Sequence, residues 1–196
     1  MTKQYRRRYC FGMTFERAAQ STYRERLYEL AMGQNGYVTT DDAAGLGIPP
    51  VQLRLLAGRH GLTHIAHGLY RFDAMPVTAT DEYLEAVLRV GRGAYLSHDA
   101  VLALHGLALV NPTRLRVGTN RRPRRQQSAN IEVVWRTLPD CDLTAYEGIP
   151  SATVRRALLD CRELIMRERL VTAIDEAATQ GLLTASEAVE LNREIG

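Results

Sequence analysis

Apolar positions between residues 23 and 72 follow two different periods. Tyr23, Leu27, Leu30 and Ala31 recur at helical spacing, which predicts a helix over 23–34 capped by Ser21 or Thr22. Thr40 is placed to cap a short second helix through Ala44. Asp41 and Asp42 lie in its first turn, where negative charge suits the helix N-terminus. Gly45 and Gly47 end that helix. Pro49 and Pro50 then open a third, because proline is tolerated in a first turn. Leu53, Leu56, Ala57 and His60 share one face of this helix, and Gly61 is the expected left-handed stop. From Leu62 to Ala66 and from Leu69 to Phe72 the period shortens to two, around a turn at His67 and Gly68. That is a hairpin pattern. A helix, a turn, a second helix and a hairpin form a winged helix-turn-helix, an architecture that lays its second helix in the DNA major groove.

A stretch of small residues and Pro76, over 73–80, separates this unit from the remainder of the chain. Beyond it Thr80 is positioned to cap a helix from Asp81 to about Val90. Ser97 is placed to cap another, stopped by Gly106. Alternating segments Leu115–Thr119 and Ile131–Arg136 read as strands flanking a polar, basic loop, and Leu143–Ile149 adds a further short strand. Ser151 is placed to cap a helix over 152–161. A longer helix is expected over about 162–180, and Thr184 with Glu187 has capping-box spacing before the last one. The predicted class is α+β: an N-terminal winged helix-turn-helix followed by a mixed α/β domain. The predicted divisions are 1–20, a basic arm; 21–76, the DNA-binding unit; and 77–196, the C-terminal domain.

Charge sharpens the division. Residues 1–75 hold ten Lys or Arg against six Asp or Glu, a net of +4, whereas residues 137–196 hold six Arg against eleven acids, a net of −5. A basic front and an acidic rear imply different partners for the two ends. An apolar content of 45% supports a real core. The three cysteines are odd in number and far apart, which fits neither a disulfide framework nor a zinc site and points to a reducing compartment. With no membrane-length apolar run and no secretory leader pattern, a cytoplasmic protein is expected.

The same pattern nominates candidate DNA contacts. Gln52, Arg54 and Arg59 are the polar side chains expected to leave the core face of the third helix. There glutamine can pair with adenine and arginine with guanine. Thr40, at the helix-turn-helix entrance, joins them, as do His64, His67 and Arg71 on or beside the wing. Arg6, Arg7 and Arg8, interleaved with Tyr5, Tyr9 and Phe11, give the arm a phosphate-binding character. The third helix is poor in cations, so affinity per monomer should be modest, and a monomer or weak dimer on paired sites is expected. A second basic patch comprises Arg114, Arg116, Arg121, Arg122, Arg124 and Arg125, six arginines in twelve residues without an acid. It suits either phosphates or an acidic protein surface. His60, His64 and His67 match no standard ligand spacing, and no nucleotide or nucleophile motif is present. No catalytic residue, metal or cofactor is expected.

Three segments in order, GYVTTDDAAGLGI with HIAHGLYRF, then YLSHDAVLALHGL (Tyr95–Leu107), then TVRRALLDC (Thr153–Cys161), resemble the AbiEi family, the antitoxins of type IV toxin–antitoxin systems. The resemblance covers about residues 36–181. It implies that the N-terminal unit binds inverted repeats in its own promoter and represses the operon. It also implies that the C-terminal domain neutralises a cognate nucleotidyltransferase-like toxin. Asp160, Glu163, Glu168, Asp175 and Glu176 are then the expected toxin-facing acids, since a toxin that handles nucleotides presents cationic surface. Two alternatives stay open: an enzyme that modifies the toxin covalently, for example by phosphoryl transfer, and a stand-alone winged-helix regulator.

Overall fold

A computed structural model of the chain describes residues 22–58, 61–122 and 128–195. Helix α1 (Tyr23–Met32) starts at a reciprocal cap. The Thr22 hydroxyl accepts from the Glu25 N–H at 3.2 Å, and the Glu25 carboxylate accepts from the Thr22 N–H at 2.7 Å. Strand β1 (Tyr37–Thr39), which the sequence pattern did not announce, runs directly into α2 (Thr40–Gly45). Thr39 is therefore the cap and Thr40 is already helical, so the cap lies one residue from its expected place. The Thr39 side chain accepts from Asp42 N–H at 3.1 Å, and the Asp42 carboxylate accepts from the Thr39 N–H at 2.8 Å. Helix α3 (Pro50–Ala57) begins with its proline at the first position and has Gly58 as its C-cap, and His60 lies outside the described residues. Gly61 does take the left-handed conformation, at φ +64°.

Strands β2 (Leu62–Ala66) and β3 (Leu69–Phe72) form the hairpin, and the sheet order is β1-β3-β2, antiparallel throughout. Side chains alternate across β3. Tyr70 and Phe72 face Leu27, Ala31, Val38, Ala43, Ile48, Leu53 and Leu62, the core of the front unit. Leu69 points the other way and joins the core of the rear unit together with Tyr37.

The rear unit opens with α4 (Asp81–Val90), β4 (Ala94–Leu96), α5 (Asp99–Leu104), β5 (Leu115–Thr119) and β6 (Ile131–Trp135). A 3-10 turn at Asp140–Asp142 precedes the hairpin β7 (Leu143–Tyr146) and β8 (Ile149–Ala152). Helices α6 (Val154–Asp160), α7 (Arg167–Thr179) and α8 (Ala185–Ile195) close the chain. The five strands order as β6-β5-β4-β8-β7. β5 pairs β6 in parallel, β4 pairs β8 in parallel, and the remaining pairs are antiparallel. Leu96, Ala100, Val101, Leu102, Val117, Leu158, Leu170 and Ile174 are all buried in the core against this sheet.

Besides α2, the starts of α5, α6 and α7 shift from the sequence expectation, at α6 because a strand holds the expected cap residue. β4 ends at Leu96, so Ser97 is buried rather than capping, and His98 is the N-cap at φ 54°, ψ −134°. β8 reaches Ala152, so Thr153 caps α6 in place of Ser151, accepting from the Arg156 N–H at 3.2 Å. Thr80 precedes α4 without a side-chain capping bond. The long rear helix begins at Arg167 because Cys161–Met166 turns between α6 and α7. The Thr184–Glu187 box forms as predicted by its spacing.

Candidate nucleic-acid interface

Leu53 is fully buried and fixes the orientation of α3, leaving Val51, Arg54 and Leu55 exposed and Gln52 half-buried. The turn before it is braced by Arg26 of α1, whose guanidinium donates to the Leu46 carbonyl at 2.5 Å. Arg54 thus stands on the free face of the helix. The wing is anchored to the same assembly. Thr40 N–H donates to the Gly68 carbonyl at 2.9 Å. Gly68, at φ +72°, leaves no room for a Cβ, which would lie 2.9 Å from the Thr40 hydroxyl. Thr40 therefore fixes the wing tip against α2 rather than projecting alone. His67 is exposed at the tip, and exposed His64 leans on Tyr70 with ring centroids 5.0 Å apart.

Arg71 departs from its expected place on the wing surface. It lies on the same face of β3 as Leu69, turned toward α4. Its guanidinium pairs with Asp81 at 2.9 Å, donates to the Pro76 carbonyl, and lies 5.5 Å over the Tyr37 ring. The two side chains of the ion pair are only 12% and 7% exposed, so Arg71 joins the front unit to the rear one and does not offer its charge to phosphates. Asn35 and Thr78 complete the shell around Asp81, and the Tyr37 hydroxyl donates to Glu85 at 2.9 Å.

The second basic patch is smaller than its sequence. Arg116 is half-buried against Asp99 (2.6 Å) and Glu132 (3.5 Å), and its charge is spent there. Arg114 is exposed and donates to the Ile131 carbonyl at 3.2 Å, and Arg121 and Arg122 are exposed. Arg6, Arg7, Arg8, Arg59, Arg124 and Arg125 lie outside the described residues.

Among the expected toxin-facing acids, Asp160 is corrected by the structure. Its side chain is 2% exposed and lies between two arginines: Arg136 contacts both of its oxygens and Arg156 contacts one. Burial works to raise its pKa, but the guanidinium hydrogen bonds outweigh burial and hold it below the usual carboxylate range. Glu163, Glu168 and Asp175 are exposed, and Glu176 is half-buried. Glu168 and Glu176 line a shallow cavity of about 190 Å³ with Leu109 and Arg169.

Sequence reasoning missed the network around Asp160. Tyr95 crosses over Gly118 and donates to the Arg136 carbonyl at 3.0 Å, holding the backbone from which Arg136 reaches Asp160. His98 stands beside it, and burial depresses its pKa although Asp160 pulls the other way. The available signal was the pair of segments YLSHD and TVRRALLD, which supply Tyr95, His98, Asp99, Arg156 and Asp160 from opposite ends of the domain. Among the described residues, no group of three or more His, Cys, Asp or Glu is placed to hold a metal ion, and no helix is long and apolar enough to cross a membrane.

Three helices against a three-stranded antiparallel sheet, with β2 and β3 as the projecting hairpin, define a winged helix. Residues 25–72, nearly all of that unit, match the family model described as "Transcriptional regulator, AbiEi antitoxin". The unit they form belongs to the AbiEi antitoxin family, as the sequence resemblance implied. No curated protein matches the chain. Among solved structures, the RV2827C protein from Mycobacterium tuberculosis is similar at 16% identity and a TM-score of 0.45, over 90% of this chain and 78% of that one.

Proposed function

We propose that this chain is the antitoxin and autorepressor of a type IV toxin–antitoxin operon. Its front unit binds an inverted repeat upstream of its own gene, and its rear unit neutralises a cognate nucleotidyltransferase-like toxin. The observation that carries the DNA half is the exposed Arg54 on α3, in a unit whose hairpin tip is fixed to α2 by Thr40 and Gly68. Arg54 is the cation of α3, so each copy binds weakly and paired half-sites supply the rest. A footprint over the upstream repeat tests it. Arg54→Ala should weaken binding about tenfold or more, the range of a guanine-reading arginine. Equal protection by wild type and variant would remove α3 from the contact.

Charge supports the toxin half. Glu163, Glu168 and Asp175 are exposed on the rear unit, whose residues 137–196 carry a net charge of −5. Coexpression with the downstream toxin should restore growth. Reversing all three to lysine should abolish rescue while leaving the footprint intact, and full rescue by that variant would count against this surface.

A further inference from the structure

α3 carries an apolar pair on the wrong side for a core. Val51 and Leu55 sit one helical turn apart and are 53% and 49% exposed. Neither belongs to the hydrophobic clusters that Leu53 and its neighbours build. They share the outward face with Arg54, which lies to one side of the pair, and residues 48–72 contain no Asp or Glu at all. A helix and hairpin with no carboxylate of their own, and one arginine beside two aliphatic side chains, fit a polyanion that offers an apolar feature. The major groove of duplex DNA offers one, the C5-methyl of thymine. A second copy of this chain fits less well. Two half-exposed aliphatic side chains fall far short of the roughly 800 Å² per partner that a stable protein interface buries.

We infer that Val51 and Leu55 read thymine methyl groups in each half-site while Arg54, beside them, takes the polar edge of a neighbouring base. The inference rests on the DNA-binding reading of α3 and adds to it the kind of sequence selected.

The experiment uses the full chain. Duplexes are selected from a random-sequence pool, and affinity for the selected site is measured with each thymine in turn replaced by uracil, which deletes only the methyl. One or two positions per half-site should lose about fourfold in affinity each, the worth of one buried methyl-sized group. The same replacements should cost nothing in Val51→Ser and Leu55→Ser variants. Both side chains are already half in solvent, so these variants retain the fold, as their unfolding curves will report. Tight binding to a selected site that ignores every uracil would overturn the inference and leave the DNA reading standing. Failure to enrich any duplex would overturn both. A solution dimer dissolved by Leu55→Arg would assign the face to self-association and overturn the inference.

Discussion

Single positions decide how the rear unit is built. A Cβ on Gly118 would lie 2.3 Å from the Tyr95 ring, which no rotation of a ring packed at 4% exposure can relieve. Gly118→Ala should therefore destabilise by about 2 kcal/mol, the usual cost of overpacking, read as a lower denaturation midpoint. Asp160→Ala would leave Arg136 without its carboxylate and Arg156 with only Asp142, 3.9 Å away. Because both arginines keep about 30% exposure, the loss should fall near the low end for a broken buried pair, about 3 kcal/mol. Acid acts on the same region. Burial lowers the pKa of His98 and of His105, so below their ordinary 6.5 the unfolded chain takes up protons that the folded chain refuses. Stability is complete above that value and falls as pH drops below it, and Asp160 adds a further loss in stronger acid. Melting temperature measured as pH is lowered should fall, and His105→Gln, which removes one of the two titrating rings, should flatten the slope. None of these roles could be read from local sequence. Arg71, Arg116 and Asp160 look like ordinary surface charges until strands and helices distant in the chain bring Asp81, Asp99 and Arg136 to them.

At the level of helices and strands, the punctuation was legible and its register was not. Thr22, the two prolines and the His67–Gly68 turn each marked a real boundary, because their chemistry acts within a few residues. β1, β4 and the join between β8 and α6 escaped, because three or four residues carry too little alternation to announce a strand. The single polypeptide pattern Leu143–Ile149 likewise hid two strands turning at Glu147 and Gly148. The one-residue cap shift at α2 yields a contrast. Thr39→Ala removes a side-chain cap and should cost about 1 kcal/mol. Thr40→Ala retains the backbone N–H that meets Gly68 and should leave the unfolding midpoint almost unchanged. Comparing the two denaturation curves checks which threonine holds the helix.

For the molecule as a whole, the pattern separated a front from a rear but concealed how they join. The three-stranded sheet is covered on both faces: α1, α2 and α3 take Val38, Tyr70 and Phe72, and the rear core takes Tyr37 and Leu69. Polar contacts bind the seam at Arg71–Asp81, Tyr37–Glu85 and Asn35–Asp81. Asp81→Ala should strand the Arg71 guanidinium in a setting where it is 12% exposed, and the expected cost is about 3 kcal/mol. Both units should lose stability together in that variant, and hydrogen exchange on β3 and α4 would show it.

This two-faced sheet has a practical consequence for anyone wishing to borrow the front half. A fragment cut at the small-residue stretch after Met75 would carry Tyr37, Leu69 and Ile65 as a raw oily wall, and would clump. A transplantable version must bring α4 along, or repaint that wall with polar side chains, before it can stand alone.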